Sequence, residues 1–370
     1  MVKNINRRLT ADASSDSVII QNMKTVTQIG HNMVSINEIA KLAKVSKATV
    51  SRTINNSGYV SAKTRKKIEK IIDEIDYVPS ASAVNLSRGV TNGIGVVIPE
   101  IDNTFYGEVL RGIIDESNKG DIQLFFYDTQ NDEQKEKETL RTIARQQLLG
   151  VIIAPSVDYT LNKETRELVD IIDKLAIPVV IVDREFEDIQ WDGVFFENYQ
   201  SGYQAATELI KAGNQRIGII TGGNKLKISR DRYKGFRQAL EDNGITAREC
   251  DILEGDFSTE MAYRLSREIF EAKDYPEAIV PCNNRSSIGF LKAAKECGIK
   301  IGRDIALVGI DNIPNLKEAG VPFSCISRDN QEMGAVALRL LLERIKCKEA
   351  KRKVCMISYK MELDGTEKRK

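Results

Sequence analysis

Apolar residues follow two different patterns along the chain. Between residues 33 and 90 they recur every three or four positions in three short stretches, which predicts three amphipathic helices. From Ile94 onwards, short continuous apolar runs alternate with longer amphipathic stretches. Repeated strand and helix units of this kind are typical of a parallel sheet covered by helices on both faces. The chain is therefore predicted to join a small helical module to a large α/β body.

The small module has the pattern of a helix-turn-helix domain. Its first helix begins at Ile36, its second covers Lys47–Asn55 with Ser46 as N-cap, and its third covers Ser61–Ile75. Apolar residues at helical spacing form one side of each helix, and the other side is polar. Three short helices with a basic surface favour a DNA-binding function.

The large body is predicted to contain two consecutive doubly wound domains. Strand-like runs from Ile94 to Asp183 form the first series, and those from Gly193 to Asp311 form the second. Two such domains place a cleft between the carboxyl ends of their sheets, where ligands usually bind. The predicted helices are residues 105–119, 133–147, 164–175, 199–212, 231–243, 258–273 and 285–297.

Composition narrows the classes of protein that fit. The chain has 370 residues, 42% hydrophobic and 29% charged, which suits a globular protein of at least two domains. No apolar run of about 18 residues and no secretory signal is visible, so we expect a cytoplasmic protein without a membrane partner. His31 is the only histidine and the six cysteines form no C-x-x-C pair, which argues against a Ser-His-Asp triad or a zinc site.

Charge is unevenly distributed along the chain. Residues 1–32 carry a net charge of +2 and residues 33–90 a net charge of +5, whereas the remaining residues carry −6. A basic module on an acidic body suggests that one end meets a polyanion. A solvated charged surface is the alternative explanation of this asymmetry.

The second helix carries side chains that can read DNA. Lys47 and Arg52 can donate to guanine, and the methyl group of Ala48 can contact a thymine methyl. The hydroxyl groups suited to phosphate oxygens belong to Thr49, Ser51, Ser61 and Thr64. On pattern alone, the same residues could be the solvated face of a small helical domain.

Enzyme motifs are missing from the body. Gly93-Ile94-Gly95 begins a dinucleotide-binding pattern, but Ile98 occupies the place of its third glycine. Neither a phosphate-binding loop nor a nucleophile elbow is present. We therefore expect neither an enzyme nor a cofactor or metal site.

Polar and aromatic residues follow the predicted strands of the body. Carboxylate, amide and guanidinium groups can hydrogen-bond a polyhydroxylated ligand, and aromatic rings stack on its C–H surface. Any one of these residues could simply cap the next helix. Their co-occurrence favours a sugar-binding cleft; they include Asp102–Tyr106, Asp128, Asp183, Arg184, Asn198, Phe257, Asn283 and Asp311.

The stretch Ser35–Pro79 resembles the DNA-binding headpiece of the lactose-repressor-like (LacI/GalR) family of bacterial transcription regulators. The resemblance includes Thr49-Val50-Ser51-Arg52, Val60–Arg65 and Tyr77-Val78-Pro79. It extends through landmarks such as Val308–Asp311 to about Met361. The resemblance implies a dimeric regulator, expected to be a sugar-responsive repressor, with a two-lobed core like that of periplasmic binding proteins.

The resemblance also implies site residues. A hinge helix after the headpiece would enter the minor groove and insert Leu86. The implied DNA-binding residues are Ser46, Lys47, Ala48, Thr49, Ser51, Arg52, Asn55, Ser61, Thr64, Ala83 and Leu86. The implied effector-binding residues are Asn103, Phe105, Tyr106, Asp183, Arg184, Arg232, Phe257, Asn283, Asp311 and Arg328.

Some features depart from the family or leave alternatives open. The family usually has Asn-Asp before one core helix, whereas this chain has Asn283-Asn284. A purine, a sugar phosphate or a protein co-regulator is the alternative to a sugar as effector. The rival functions are a transporter's solute-binding protein, which lacks a headpiece, and a metabolic enzyme.

The expected organisation has six parts. Met33 is expected to be the native start, and the charged C-terminal sequence in place of a leucine-rich helix favours a dimer over a tetramer. The parts are a disordered extension (1–32), the helix-turn-helix domain (33–78), a hinge helix or linker (79–92), a core N-subdomain (93–192 plus 325–361), a core C-subdomain (193–324) and a charged tail (362–370).

Overall fold

The computed structural model describes residues 35–54, 56–75, 77, 92–158, 163–186 and 190–369. The chain divides into two compact units, residues 1–84 and 85–370. The predicted N-terminal extension, most of the predicted hinge, and the predicted DNA-binding residues Asn55, Ala83 and Leu86 lie outside the described residues.

The small unit contains three helices, α1 (Ile36–Ala43), α2 (Lys47–Ile54) and α3 (Ala62–Glu74). Ser35 begins α1 through a capping box with Glu38, in which each residue's side chain accepts a hydrogen bond from the other's backbone. The helices pack around a small apolar core. Its buried members are Ile39, Ala40, Ala43, Val50 and Ile68.

The first lobe of the large unit is built on a six-stranded sheet with two apolar layers, one on each face. Its strands are β1 (Gly93–Ile98), β2 (Gln123–Asp128), β3 (Gly150–Ile153), β4 (Val179–Val182), β5 (Asp192–Phe196) and β12 (Val354–Ile357). Every pairing is parallel, in the order β12-β5-β4-β3-β1-β2. The helices of this lobe are α4 (Thr104–Ser117), α5 (Glu133–Ile143), α6 (Lys163–Asp173) and α12 (Asn330–Lys346).

The second lobe contains a parallel sheet in the order β7-β6-β8-β9. A smaller sheet, in the order β10-β11-β13, shares one apolar cluster with the strands β6 and β8 of the parallel sheet. The strands are β6 (Ile217–Thr221), β7 (Ile252–Glu254), β8 (Ala278–Pro281), β9 (Ala306–Leu307), β10 (Gly309–Ile310), β11 (Cys325–Arg328) and β13 (Tyr359–Glu362). The helices are α7 (Asn198–Lys211), α8 (Lys227–Asp242), α9 (Thr259–Glu271), α10 (Asn284–Glu296) and α11 (Pro314–Glu318), with a 3-10 turn at Glu249–Asp251.

The chain crosses between the lobes at other places than predicted. The predicted N-subdomain ended at residue 192, but β5 pairs with β4 and β12 and so belongs to the first lobe. The strands β11 and β13 pair with each other antiparallel in the second lobe, although both were placed in the N-subdomain. Only α12 and β12 return to the first lobe, because their apolar residues complete its core.

The predicted charged tail is bound to the second lobe. The backbone of Thr366 accepts a hydrogen bond from Leu307 N, and its hydroxyl donates to the carbonyl oxygen of Leu307. The buried carboxylate of Glu367 accepts a hydrogen bond from Ser324 Oγ at 2.6 Å. The polar groups of the tail are therefore hydrogen-bonded to the second lobe, and Thr366 pairs with the edge strand β9.

Glycines allow two helices of the first lobe to touch through their backbones. A Cβ atom at Gly112 of α4 would lie 1.8 Å from the carbonyl oxygen of Gln331, and one at Gly334 of α12 would lie 2.0 Å from that of Val109. Real Cβ atoms do not approach so closely, so only glycine fits these two positions. The helix pairs of the second lobe show the same contact, at Gly202, Gly235 and Gly289.

Candidate functional site

The helix α2 presents polar side chains to solvent. Lys47, Ala48 and Arg52 are exposed, whereas Val50 and Thr53 are buried against the other helices. The residues predicted to read base edges therefore lie on the solvent side of one helix. That arrangement suits a recognition helix, whose exposed side chains must reach into a major groove.

Hydroxyl groups cap the N-termini of α2 and α3. Ser46 Oγ accepts a hydrogen bond from Thr49 N, and Ser61 Oγ accepts one from Thr64 N, both at 3.2 Å. The two hydroxyl oxygens of each pair are also hydrogen-bonded, at 2.9 and 2.8 Å. Three of the four predicted phosphate ligands, Thr49, Ser61 and Thr64, thus lie where helix N-termini favour an anion. The fourth, Ser51, lies further along α2 and is half-buried.

Two cations of α3 bind the ends of the other helices. Lys67 Nζ donates to the carbonyl oxygen of Ala43 at 2.8 Å, and Arg65 Nη1 donates to that of Thr53 at 3.5 Å. Cations stabilise helix C-termini because the last carbonyl groups are unpaired and carry partial negative charge. These two residues therefore hold the small unit together, a role that the sequence pattern did not predict.

All ten predicted effector-binding residues line one cavity between the two lobes of the large unit. The cavity is narrow in this structure, with about 40 Å³ open to the centre of a water molecule. Its walls come from the loops at the carboxyl ends of both parallel sheets, the usual position of ligand sites in this class of fold. Its lining also includes four residues that were not predicted, Glu100, Asn131, Ile228 and Asn284.

Three residues of the cavity have left-handed backbone conformations. The φ angles are 61° at Asp183, 70° at Phe257 and 73° at Asp311. Asp183 follows β4 and Asp311 follows β10, so each turns the chain sharply at a strand end. Residues other than glycine rarely adopt such φ angles, which cost about 1–3 kcal/mol each.

Asp311 and Arg328 form a buried ion pair in the cavity wall. Arg328 Nε donates to Asp311 Oδ1 at 2.5 Å, and both side chains are almost fully buried. The guanidinium group of Arg328 also lies over two aromatic rings, 5.1 Å from the centre of Phe105 and 4.2 Å from that of Phe196. Phe196, the last residue of β5, was not predicted as a site residue, and its ring packs against the guanidinium group of Arg328.

Arg232 is buried with neutral oxygens as its hydrogen-bond partners. Its Nε donates to Asn198 Oδ1 at 2.9 Å and its Nη1 to the carbonyl oxygen of Cys282 at 2.5 Å. The ring of Phe257 lies 5.8 Å from its guanidinium carbon. Burial lowers the pKa of Arg232, and the nearby charge of Arg328 lowers it further.

Asp183 and Arg184 bind different parts of the first lobe. Tyr106 donates its hydroxyl hydrogen to Asp183 Oδ2 at 2.9 Å, and burial raises the pKa of Tyr106 well above its usual value. Arg184 Nη1 donates to Asn131 Oδ1 at 2.7 Å and to the carbonyl oxygens of Pro155 and Ser156. Hydrogen bonds to the first lobe thus fix the positions of both side chains.

Ion pairs join the two lobes at the rim of the cleft. Arg230 contacts the fully buried carboxylate of Asp158 at 2.6 Å, and Lys227 contacts Glu185 at 2.9 Å. On another element, Arg285 contacts Asp102 at 2.7 Å. In each pair the first lobe supplies the carboxylate and the second lobe the cation, so the charges favour a closed cleft.

Comparisons with known proteins identify the family of the chain. Residues 35–80 match the bacterial regulatory proteins of the lacI family, and residues 206–361 match the periplasmic binding protein-like domain. The transcriptional repressor PurR of Vibrio atlanticus is 31% identical over 322 residues, which cover 87% of this chain and 95% of that protein. The chain belongs to the LacI family.

Further relatives agree with this assignment. The ribose operon repressor of Haemophilus influenzae is 30% identical over 314 residues, which cover 85% of this chain and 92% of that protein. A solved structure of the lac repressor dimer, bound to operator and an anti-inducer, matches with a TM-score of 0.78 at 21% identity over 90% of this chain and 99% of that one. The predicted fold class is confirmed, and the chain is a DNA-binding transcriptional repressor of the LacI family and not an enzyme.

The departure of this chain from the family pattern at Asn284 has a structural role. Asn284 Nδ2 donates across the cleft to Asn103 Oδ1 and to Thr104 Oγ1, both at 3.0 Å. An ionised aspartate has no hydrogen to donate there. Asn283 caps α10 by accepting from Ser286 N at 2.8 Å, and it donates to the carbonyl oxygen of Phe257.

The described residues contain neither a membrane-spanning helix nor a cluster of metal ligands. None of the described helices is both long and apolar enough to cross a membrane. Within the same residues, no group of three or more His, Cys, Asp and Glu side chains is placed to hold a metal ion.

Proposed function

We propose that this LacI-family repressor binds a two-fold operator as a homodimer and responds to a sugar bound in the cleft between its lobes. The effector part of the proposal rests on one observation. The ten effector-binding residues predicted from the sequence come from both lobes and line a single cavity. A ligand that contacts both lobes can favour one arrangement of them over another, which is the requirement for an effector.

The chemistry of the cavity supports a sugar. Carboxylate, amide and guanidinium groups offer both donors and acceptors, as the hydroxyl groups of a sugar require. The rings of Phe105, Tyr106 and Phe257 supply apolar surface for its C–H groups. A closed cleft would exclude water and strengthen these hydrogen bonds.

Exposed aromatic residues support the dimer. Phe125 and Phe126 lie on β2, an edge strand of the first sheet, and are 38% and 41% exposed. Apolar side chains on an unpaired strand edge are a common interaction surface. A dimer would present two copies of α2, as half-sites about 34 Å apart require.

The proposed mechanism couples the cleft to DNA. Exposed residues of α2 would read each half-site, while Ala83 and Leu86 would contact the minor groove between them. An effector that changes the arrangement of the lobes would change operator affinity, a coupling typically worth about 1–3 kcal/mol. The same linkage serves induction and co-repression. Operator affinity measured with and without the effector distinguishes the two.

A purine is the second candidate effector, favoured by the relationship to repressors named PurR. Thermal unfolding of the full chain should therefore be followed with free sugars, sugar phosphates and purines. A ligand at 100 times its Kd raises the free energy of unfolding by about 2.7 kcal/mol. Stabilisation by a free sugar supports the proposal, stabilisation only by a purine supports the second candidate, and none overturns both.

A matched pair of substitutions tests the cleft. Asp183→Asn should abolish the stabilisation by the effector and leave operator binding intact. Asp242→Asn is the control, because Asp242 also accepts a hydrogen bond from a tyrosine, Tyr203, but outside the cleft. Equal effects of the two substitutions on effector binding would contradict the proposed site.

A second pair tests the DNA surface, using an operator selected from random DNA. Arg52→Ala should weaken binding by about 1–3 kcal/mol and relax base preference in each half-site. Lys70→Ala is the control, because Lys70 is 76% exposed on α3 and pairs only weakly with Glu74. If Lys70→Ala weakened binding as much as Arg52→Ala, the assignment of α2 as the recognition helix would be wrong.

A further inference from the structure

Three loops of the first lobe supply carboxylates to the ion pairs that join the two lobes. Glu100 follows β1, Asp158 follows β3 and Glu185 follows β4, and these strands are neighbours in the order β4-β3-β1. The cations of the second lobe that pair with these carboxylates are Arg285 at 3.5 Å, Arg230 at 2.6 Å and Lys227 at 2.9 Å. Closure of the cleft therefore depends on where these three loops are held.

Arg184 contacts the loops that carry these carboxylates. Its Nη1 donates to the carbonyl oxygens of Pro155 and Ser156 at 3.0 and 3.1 Å, in the loop that contains Asp158. The next residue along the chain from Arg184 is Glu185. One buried guanidinium group thus holds the second of the three loops and lies within the third.

Asn131 connects Arg184 to the remaining carboxylate, that of Glu100. Asn131 Oδ1 accepts from Arg184 Nη1 at 2.7 Å, and Asn131 Nδ2 donates to Glu100 Oε1 at 2.5 Å. The backbone N–H of Asn131 also donates to the carbonyl oxygen of Pro99, beside Glu100. Because Glu100 Oε1 is the oxygen that pairs with Arg285, a continuous series of polar contacts runs from Arg184 to the second lobe.

Arg184 has a buried donor that these contacts leave unpaired. The residue lines the cleft cavity, and its Nε has no hydrogen-bond partner among the described residues. Buried donors are almost always paired in folded proteins, so we expect an oxygen of the effector as the acceptor. Nε and Nη1 belong to one planar group, so an acceptor bound at Nε also restricts the position of Nη1.

We propose that Arg184 couples the effector to closure of the cleft, by positioning Glu100 and Asp158 for their ion pairs with the second lobe. This inference rests on the proposed function and names the residue through which the effector acts. The three arginines that line the cavity are matched by three carboxylates, those of Glu100, Asp183 and Asp311. A neutral hydroxyl or carbonyl oxygen is therefore a sufficient partner for Nε.

Asn131→Asp breaks the connection between Arg184 and Glu100. The carboxylate keeps an acceptor for Arg184, but it has no hydrogen to donate to Glu100, and the two carboxylates repel each other. Asn131 is exposed and has a φ angle of 53°, which aspartate tolerates, so the variant should fold. Gln130→Glu is the matched control, because it makes the same chemical change at the adjacent residue, whose side chain contacts Lys135 instead.

The arrangement of the lobes can be measured on the full chain without a ligand. The two exposed cysteines, Cys250 and Cys347, lie on different lobes and can carry nitroxide labels after Cys297→Ser and Cys355→Ser remove the half-buried thiols. Labelled chain is diluted with unlabelled chain, and the distance between the two labels is measured by pulsed electron paramagnetic resonance. We expect Asn131→Asp to shift or broaden the distance distribution and Gln130→Glu to leave it unchanged.

A second substitution separates positioning from a general loss of structure. Glu100→Gln, added to Asn131→Asp, places an amide donor against the carboxylate and should restore part of the native distribution. Arg184→Gln frees two loops at once, so it should alter the distribution more than Asn131→Asp does. A smaller change would overturn the assignment of Arg184 as the shared residue. If Arg184→Gln does not fold, Asn131→Asp and its control decide alone.

Calorimetric titration with D-ribose, D-glucose and guanine tests the effect on binding. A compound that binds the native chain should bind Asn131→Asp about tenfold more weakly, which is within the range typical of coupled sites, and Gln130→Glu equally well. Equal distance distributions for Asn131→Asp and Gln130→Glu would overturn the inference and leave the proposed effector site intact. A changed distribution in a chain that binds none of the three compounds would support the positioning role of Arg184 and count against the proposed function alone.

Discussion

Substitution of Gly112 by alanine tests the close approach of α4 and α12. In an ordinary helix this change stabilises the protein by about 0.8–1.0 kcal/mol, because glycine loses more backbone entropy on folding than alanine does. At Gly112, however, the new methyl group would lie 1.8 Å from the carbonyl oxygen of Gln331. Ordinary van der Waals contact begins near 3.4 Å, so the two helices would have to separate by about 1.5 Å.

Separation of the helices should outweigh the gain in helix propensity. Overpacking of a core typically costs about 1–3 kcal/mol. The upper end of that range is expected here, because the obstructing atom belongs to a backbone and not to a side chain that could move. We therefore expect Gly112→Ala to lower the free energy of unfolding by about 2 kcal/mol after its propensity gain is subtracted.

Gly107 on the same helix provides the control. It is exposed, and a Cβ atom there would have no neighbour within 4 Å, so Gly107→Ala should stabilise by up to about 1 kcal/mol. Unfolding in urea can be followed by the fluorescence of Trp191, the only tryptophan, which lies in the first lobe beside Phe186. Opposite shifts of the midpoint are expected for the two variants. Equal stabilities would refute the backbone contact between α4 and α12.

Three further predictions concern charged residues. Arg230→Ala should weaken effector binding about tenfold, because it removes an ion pair with buried Asp158 that joins the two lobes when the cleft is closed; Arg237→Ala, on the outer part of the same helix, should change it less than twofold. Lys67→Met should destabilise the small unit by about 1 kcal/mol in thermal unfolding, since a carbonyl group at the end of α1 loses its partner. Hydrogen bonds from backbone N–H groups hold the pKa of Glu277 below its usual 4.5. Its contribution to stability is therefore present above pH 4.5 and is lost as the pH falls through the lowered pKa. Glu277→Gln should accordingly reduce the fall in the free energy of unfolding at acid pH.

The strands and helices of the core were largely predictable because their signals are local. Runs such as Gly93–Ile98 are buried on both faces and therefore appear as continuous apolar segments. The lobe to which each strand belongs could not be predicted from these local signals. The apolar run of β5 fits either sheet, and only its pairing with β4 and β12 places it in the first lobe.

The residues that line the cleft could be predicted from the sequence, whereas the ion pairs at its rim could not. Strand-end polar residues could be recognised one by one, since the parallel arrangement brings their ends to the same edge of a sheet. The pairs that join the lobes, such as Arg230 with Asp158, are distant in sequence and depend on how the lobes meet. Phe196 was missed because an aromatic residue at the end of a buried strand is indistinguishable from ordinary core until its contact with Arg328 is known.

The left-handed backbone at Asp183, Phe257 and Asp311 has a consequence for the evolution and engineering of this core. Glycine would adopt these φ angles without strain, but it would also remove the Asp311 carboxylate from buried Arg328 and the Asp183 carboxylate from Tyr106. The contacts of these side chains therefore oppose a backbone strain of about 1–3 kcal/mol at each position. A redesign guided by backbone conformation alone would choose glycine at all three positions, and it would leave the buried charge of Arg328 without its carboxylate.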